Sequence, residues 1–125
     1  MKVLGIETSG LVGNIAVCDG NKVVARKSYG KNFSHGKEII SSLESLFNEI
    51  KWEASDIDLI AVSTGPGSYT GLRVGVTCAK TVAYGLGKPV IDVPTLDVLV
   101  ENVEDNSAKT ICPVLDAKRK SVYAC

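Results

Sequence analysis

The sequence has few of the residues that build metal centres, disulfides or catalytic pairs. His35 is the single histidine, and the four cysteines are scattered, with no Cys-x-x-Cys pair among them. Because a zinc site needs several His or Cys ligands at short spacings, we predict no metal site. A lone histidine also leaves no motif for a Ser-His or Cys-His pair. We expect the cysteines to be reduced thiols, most of them buried.

The chain also has no excess of charge and no long hydrophobic run. Its 14 basic and 14 acidic residues cancel, so its composition does not steer it towards nucleic acid or an anionic membrane, and we expect contact with tRNA only through a partner. No apolar run approaches the roughly 20 residues of a membrane span, and Glu7 interrupts the first apolar residues too early for a signal peptide. We therefore expect a cytoplasmic protein without membrane contact.

What is present is an alternation of strand and helix patterns. They predict strands at 2–8, 14–18, 22–28, 58–64 and 89–93, and helices from a cap at Ser34 to about 51, from 69 to 86, and from 94 to about 103. This is the order of the ribonuclease-H-like fold, which is also the lobe of the actin-like ATPases. We predict an α/β lobe over residues 1–104, with a mixed sheet, a three-strand antiparallel meander and helices on both faces.

The last residues predict a separate element. A polar stretch at 101–109 precedes a strand at 110–115, a charged turn at 116–120 and a strand at 121–125. We interpret residues 110–125 as the opening hairpin of an incomplete second lobe, and we expect the natural protein to continue.

The most distinctive stretch is Ser63–Gly75, Ser-Thr-Gly-Pro-Gly-Ser-Tyr-Thr-Gly-Leu-Arg-Val-Gly, between a predicted strand and a predicted helix. Backbone N–H groups and the helix dipole at such a turn suit an anion, although glycines there equally serve tight geometry. The stretch lacks the Lys-Ser or Lys-Thr of a Walker A motif and the third glycine of Gly-x-Gly-x-x-Gly. The candidate residues for an anion or a nucleotide are Glu7, Thr8, Ser9, Gly65, Gly67, Ser68 and Thr70.

The first two helices carry more apolar surface than one sheet contact needs. On the second helix, a stripe of small side chains runs beside the stripe that we expect to face the sheet. Another helix could approach this surface closely, and two alternatives are open: the first helix of the same chain, or another molecule. The candidate residues for a partner or dimer interface are Ile40, Leu43, Phe47, Gly71, Gly75, Cys78 and Val82.

Four segments make the chain resemble the bacterial TsaB family, also called YeaZ. They are Ile-Glu-Thr-Ser at 6–9, the block at 63–75, Pro-Thr-Leu at 94–96, and Leu-Asp-Ala-Lys-Arg-Lys-Ser-Val-Tyr at 115–123. The resemblance covers the whole chain in order. It implies a subunit of the machinery that makes threonylcarbamoyladenosine beside the anticodon of tRNA, with TsaD as the transferase and TsaE as the ATPase. It also implies a non-catalytic scaffold or activator that binds TsaD through its first two helices, with no cofactor and with ATP only in the complex.

Two departures separate this chain from the transferase. The transferase carries a His-x-x-x-His metal pair on its first helix, whereas here Ile39 stands four residues after His35. It also has Asp-Glu-Thr-Gly where this chain has Leu-Val-Gly-Asn at 11–14. We therefore expect no activity from this chain alone, and a homodimer when no partner is present. The rival interpretation is an ATP-binding actin-like kinase or transferase that uses Glu7 and the turn Gly65–Gly71.

Overall fold

The computed structural model describes residues 1–30, 35–104, 107 and 109–125, except for the side chain of His35. The predicted helix cap at Ser34 lies outside the described residues. The elements are β1 (Lys2–Glu7), β2 (Gly13–Asp19), β3 (Lys22–Tyr29), α1 (His35–Ile50), a 3₁₀ turn (Ala54–Asp56), β4 (Leu59–Ser63), α2 (Tyr69–Leu86), β5 (Val90–Val93), α3 (Thr95–Val100), β6 (Val114–Lys118) and β7 (Ser121–Ala124).

The first five strands form one mixed sheet in the order β3-β2-β1-β4-β5. β1, β2 and β3 are an antiparallel meander, and β4 and β5 continue the sheet in parallel from β1. Gly20 lies in the turn between β2 and β3 and adopts the left-handed region, with φ of 57°, which a glycine adopts without a steric penalty. The predicted order of these elements is confirmed.

The core lies between one face of this sheet and the two long helices. Leu4 pairs with Val17 on β2 and with Ile60 on β4, so alternate residues of three strands point to the same side. These side chains are fully buried, and each contributes about 1.5–3 kcal/mol through burial. Leu46 of α1 and Ala79 of α2 complete the core on the helix side. The opposite face of the sheet carries α3, whose Val98 lines a hollow of about 200 Å³ over the sheet.

Local signals set the ends of α2. The hydroxyl oxygen of Ser68 accepts a hydrogen bond from the Gly71 N–H at 3.2 Å and caps the first turn. Gly87 ends the helix with φ of 63°, and its N–H donates to the carbonyl oxygens of Ala83 and Tyr84. The predicted bounds of this helix, 69–86, are confirmed.

The C-terminal hairpin differs from the prediction. β6 begins at Val114 rather than at 110, and it continues through Asp116 and Lys118, where a charged turn was expected. The turn itself contains only Arg119 and Lys120, both with positive φ. Asp116 and Lys118 both pair with β7, across a shift in register between them, so charge alone was the wrong signal for the start of the turn.

β6 and β7 form a two-stranded sheet of their own, apart from the five-stranded sheet. The assignment of 110–125 to a second lobe stays a prediction. Two of the cysteines, Cys112 and Cys125, are exposed, so the expectation that most cysteines are buried was wrong. Among the described residues, no helix combines the length and the apolar character that a membrane crossing requires.

Candidate functional sites: the glycine-rich turn and the helix groove

The glycine-rich turn after β4 is pressed against the end of β1. The Ser68 N–H donates a hydrogen bond to the carbonyl oxygen of Ser9 at 2.7 Å. A Cβ atom at Gly67 would lie 2.5 Å from the Cβ of Ser9, closer than two carbon atoms can approach without displacement. Gly65 has φ of +116°, a conformation that side chains disfavour. These glycines are therefore needed where the two segments meet.

The same contact continues one helical turn into α2. A Cβ atom at Gly71 would lie 2.1 Å from the carbonyl oxygen of Thr8, and one at Gly75 would lie 2.1 Å from the Thr8 hydroxyl oxygen. The two glycines are one turn of helix apart and share one face of α2. Their bare backbone allows α2 to cross the end of β1 at close range. The residues of the glycine-rich stretch therefore hold β1 against α2.

This contact corrects one expectation about the small stripe of α2. Gly71 and Gly75 are buried, and their missing side chains face Thr8 of the same chain. Neither the first helix nor another molecule fills the space in front of them. A partner that reaches α2 would instead meet the side chains next to these glycines.

Several N–H groups of the predicted anion site donate hydrogen bonds to other groups of the same chain. The Ser68 N–H is bonded to Ser9, as described above, and the Gly71 N–H donates to the Ser68 hydroxyl oxygen. The Ser9 N–H donates to a carboxylate oxygen of Glu7, which brings a negative charge to the turn. The Thr8 N–H donates to the Ser63 hydroxyl oxygen at 3.4 Å. Binding of an anion or a nucleotide at this turn stays a prediction.

A cleft of about 490 Å³ separates the glycine-rich turn from the C-terminal hairpin. Ser9, Gly67 and Ser68 line one wall, and Asp116 and Tyr123 line the other. The lining contains an acidic and a basic side chain, because Lys118 lies there as well as Asp116. Sequence reasoning missed this second wall, since only the folded chain brings residues 115–123 opposite the turn.

The second candidate site is an apolar groove between α1 and α2, with a volume of about 470 Å³. The two helices approach each other at Gly36, where an added Cβ would touch a Val74 methyl group at 3.6 Å. Ile40 stands in the wall of the groove with 54% of its surface exposed. The groove is lined by Gly36, Ile39, Ile40, Thr70, Arg73, Val74, Thr77, Cys78, Thr81 and Val82.

The groove contains some of the predicted interface residues and not others. Ile40, Cys78 and Val82 line it. Leu43 is buried in the core, and Phe47 packs partly buried against the core without lining the groove. For these five residues the interface stays a prediction.

Val74 and Thr77 are groove residues that sequence reasoning did not assign to an interface. Their place follows from two helices lying side by side on one face of the sheet, which periodicity within one helix does not reveal. Burial raises the pKa of the Cys78 thiol, so the groove presents this residue as a neutral, apolar group at physiological pH. Within the described part of the chain, no three His, Cys, Asp or Glu side chains meet as a metal site would require.

Comparison with known proteins gives a family. A family model described as "TsaD: tRNA N6-adenosine threonylcarbamoyltransferase" matches residues 31–125. The "tRNA threonylcarbamoyladenosine biosynthesis protein TsaB" of Bacillus subtilis is 36% identical over 98% of this chain and 53% of its own length. This chain belongs to the TsaB (YeaZ) family. The TsaB protein of Escherichia coli is 27% identical over the same shares, 98% of this chain and 53% of its own. The chain thus spans about half the length of these TsaB relatives.

A solved structure supports the fold. "YeaZ from Pseudomonas aeruginosa" superposes with a TM-score of 0.88 at 23% identity, over 98% of this chain and 58% of that chain. The predicted α/β class, of the actin-like and ribonuclease-H-like type, is confirmed.

Proposed function

We propose that this chain acts in the biosynthesis of threonylcarbamoyladenosine in tRNA, as a non-catalytic scaffold or activator that binds a TsaD-type transferase. Membership of the TsaB family supports the process. The apolar groove between α1 and α2 supports the proposed mode of action, and this mode depends on that single observation. In this proposal the chain works in the cytoplasm, and the TsaE-type ATPase and the tRNA join through the complex.

The groove has the chemistry of a helix-binding surface. Ile40 keeps 54% of its surface exposed, and Val74 lies across from it on α2. An amphipathic helix that lies in such a groove buries apolar anchors at helical spacing. Each large anchor that leaves water contributes about 1.5–3 kcal/mol. A partner helix in this groove would therefore gain most of its binding energy from a few side chains.

Two sequence facts support a non-catalytic subunit. Ile39 stands where the resemblance places the second metal-binding histidine of the transferase, four residues after His35. The net charge of zero means that the overall charge of the chain does not favour binding to tRNA. In our proposal this chain alone therefore performs no transfer and holds no cofactor, and ATP acts only within the complex.

Without its partner, we propose that the same groove pairs two copies of the chain. A two-fold dimer presents the same patch on both subunits, and an exposed apolar groove is a natural patch of this kind. Light scattering of the purified chain tests this, and a monomer at all concentrations would contradict it.

A substitution in the groove tests the main proposal. Ile40→Asp introduces a charge where the partner's apolar side chains would lie, so the dissociation constant for the cognate TsaD-type transferase should rise at least about 100-fold. Ser41→Asp is the matched control, because it adds the same charge at an exposed neighbour outside the groove. It should change the constant less than about 3-fold. Calorimetry gives both values, and wild-type binding by Ile40→Asp would refute the proposal.

The rival function is an ATP-dependent kinase or transferase that uses Glu7 and the turn Gly65–Gly71. Two observations favour it: the cleft of about 490 Å³ beside the turn, and a buried Glu7 oxygen, Oε2, that has no hydrogen-bond partner among the described residues. The internal use of the turn's N–H groups weighs against it. Calorimetry with Mg-ATP decides between the two functions. Micromolar binding with turnover by the chain alone would establish the rival.

A further inference from the structure

We infer that Arg73 determines which helix occupies the groove between α1 and α2. The structure points to an apolar partner helix that carries a carboxylate side chain opposite Arg73, and it makes pairing with a second copy of this chain the weaker of the two interactions. The inference rests on the proposed function in one respect: the helix is taken to belong to the transferase partner.

Arg73 stands at the rim of the groove. Its guanidinium lies over the ring of Tyr69, 5.5 Å from the ring centroid, within the range of a cation–π contact. It forms no ion pair with any carboxylate in the described part of the chain. Among the described residues, the charge is therefore held beside Tyr69 without an acidic partner.

Among the described residues that line the groove, Arg73 is the only charged one. The other polar side chains there are three threonines, which carry no charge. A helix that covers the groove removes water from the guanidinium, and a cation that loses water without gaining a partner destabilises the complex. A carboxylate on the partner replaces the lost water and can bind the planar guanidinium with two hydrogen bonds.

A second copy of the chain lacks the complementary charge. α2 contains no Asp or Glu anywhere along Tyr69–Leu86. The acids of α1 do not line the groove, and Glu38 already accepts a hydrogen bond from the Gly30 N–H. Two facing grooves would bring two arginines together and no carboxylate. The same residue thus favours an acidic partner and weakens self-pairing.

Charge reversal at one helix position tests the inference. Arg73→Glu should raise the dissociation constant for the cognate TsaD-type transferase at least about 10-fold, since like charges would meet in the complex. Lys80→Glu is the matched control, because Lys80 is exposed on the same helix and lies outside the groove. It should change the constant less than about 2-fold. The wild-type complex should weaken when the ionic strength rises, and the Arg73→Gln complex should respond much less.

The outcomes separate this inference from the proposed function. If Ile40→Asp abolishes binding while Arg73→Glu behaves as Lys80→Glu does, the role of Arg73 is refuted and the groove stays the binding site. If Ile40→Asp binds normally, the proposed function itself fails. Self-association, measured by light scattering, should be unchanged in Arg73→Glu, where two like charges still face each other, and tighter in Arg73→Gln. A loss of self-association in Arg73→Glu as large as the loss of transferase binding would overturn the selectivity. Thermal unfolding checks the fold, and Arg73→Gln gives the same comparison if Arg73→Glu does not fold.

Discussion

Helix α2 takes part in two surfaces that the chain treats in opposite ways. On one face, Gly71 and Gly75 are closed against Thr8 with no room for a side chain. On the neighbouring face, Val74 and Thr77 line an open groove beside α1. The glycines of the most distinctive sequence block thus have an internal, architectural role, whereas Thr70, Arg73 and Val74 of the same block line the surface available to a partner. A distinctive motif can mark how a fold is held together as well as where a ligand binds.

The largest expected effect is a loss of stability at Gly71, on the face of α2 that is closed against Thr8. Gly71→Ala would place a Cβ 2.1 Å from the carbonyl oxygen of Thr8, and a backbone atom cannot move without displacing β1. We expect the free energy of unfolding to fall by about 3 kcal/mol, more than the roughly 1 kcal/mol that alanine adds to a helix. Urea unfolding measures it. Unchanged stability in Gly71→Ala would contradict the close contact. Gly85→Ala, near the end of the same helix, is the control, since nothing lies within 4 Å of a Cβ there.

A smaller effect is expected at Gly75, where the obstacle is a side chain. Gly75→Ala would meet the Thr8 hydroxyl oxygen at 2.1 Å, and we expect a loss of about 2 kcal/mol. Thr8→Ala removes that oxygen, so the double variant should be more stable than the two single losses predict. The same Thr8→Ala change should give no relief to Gly71→Ala, whose obstacle is the backbone. A double-mutant cycle in urea measures both couplings, and equal couplings would contradict the assigned geometry.

On the open face, stability should hardly change. Ile40 is 54% exposed, so Ile40→Ala should alter the free energy of unfolding by no more than about 0.5 kcal/mol. Its binding to the transferase should nevertheless weaken, because the lost side chain is an anchor in the groove. Unfolding and calorimetry on the same preparation separate the two effects. A large loss of stability in Ile40→Ala would show that this residue belongs to the core.

The smallest expected effect is a difference in alkylation rate between buried and exposed cysteines. Burial raises the pKa of the Cys78 thiol, so at pH 8 a smaller fraction is thiolate, and alkylation should be slower than at the exposed Cys112 and Cys125. The difference should shrink as the pH rises through the raised pKa. Mass spectrometry after brief exposure to iodoacetamide measures the order, and Cys78 reacting first would contradict its burial.

Much of the fold could be predicted because its signals are local. The helix cap at Ser68, the terminating Gly87 and the hairpin glycine at Gly20 each act within a few residues. Short apolar runs predicted buried strands for the same reason. The error in β6 has a local cause too, since its charged residues lie within a strand and were interpreted as a turn.

The sites were harder to predict because they depend on distant neighbours. Periodicity identified the small stripe on α2, but only the folded chain brings Thr8 against Gly71 and Gly75. It likewise takes two helices on one sheet face to make Arg73 and Val74 part of one groove with Ile40. Sequence analysis therefore identified the two helices that border the groove but only part of the groove's lining.

Chemical-shift mapping of the labelled chain with the unlabelled TsaD-type transferase tests the central proposal most directly. If the groove is the binding site, the largest shift changes should occur at Ile40, Val74 and Thr77. The chemical shifts of Ser9 and Gly67, at the glycine-rich turn, should stay close to those of the free chain. The largest shifts around Ser9, Gly67 and Tyr123, with the groove unchanged, would contradict the account.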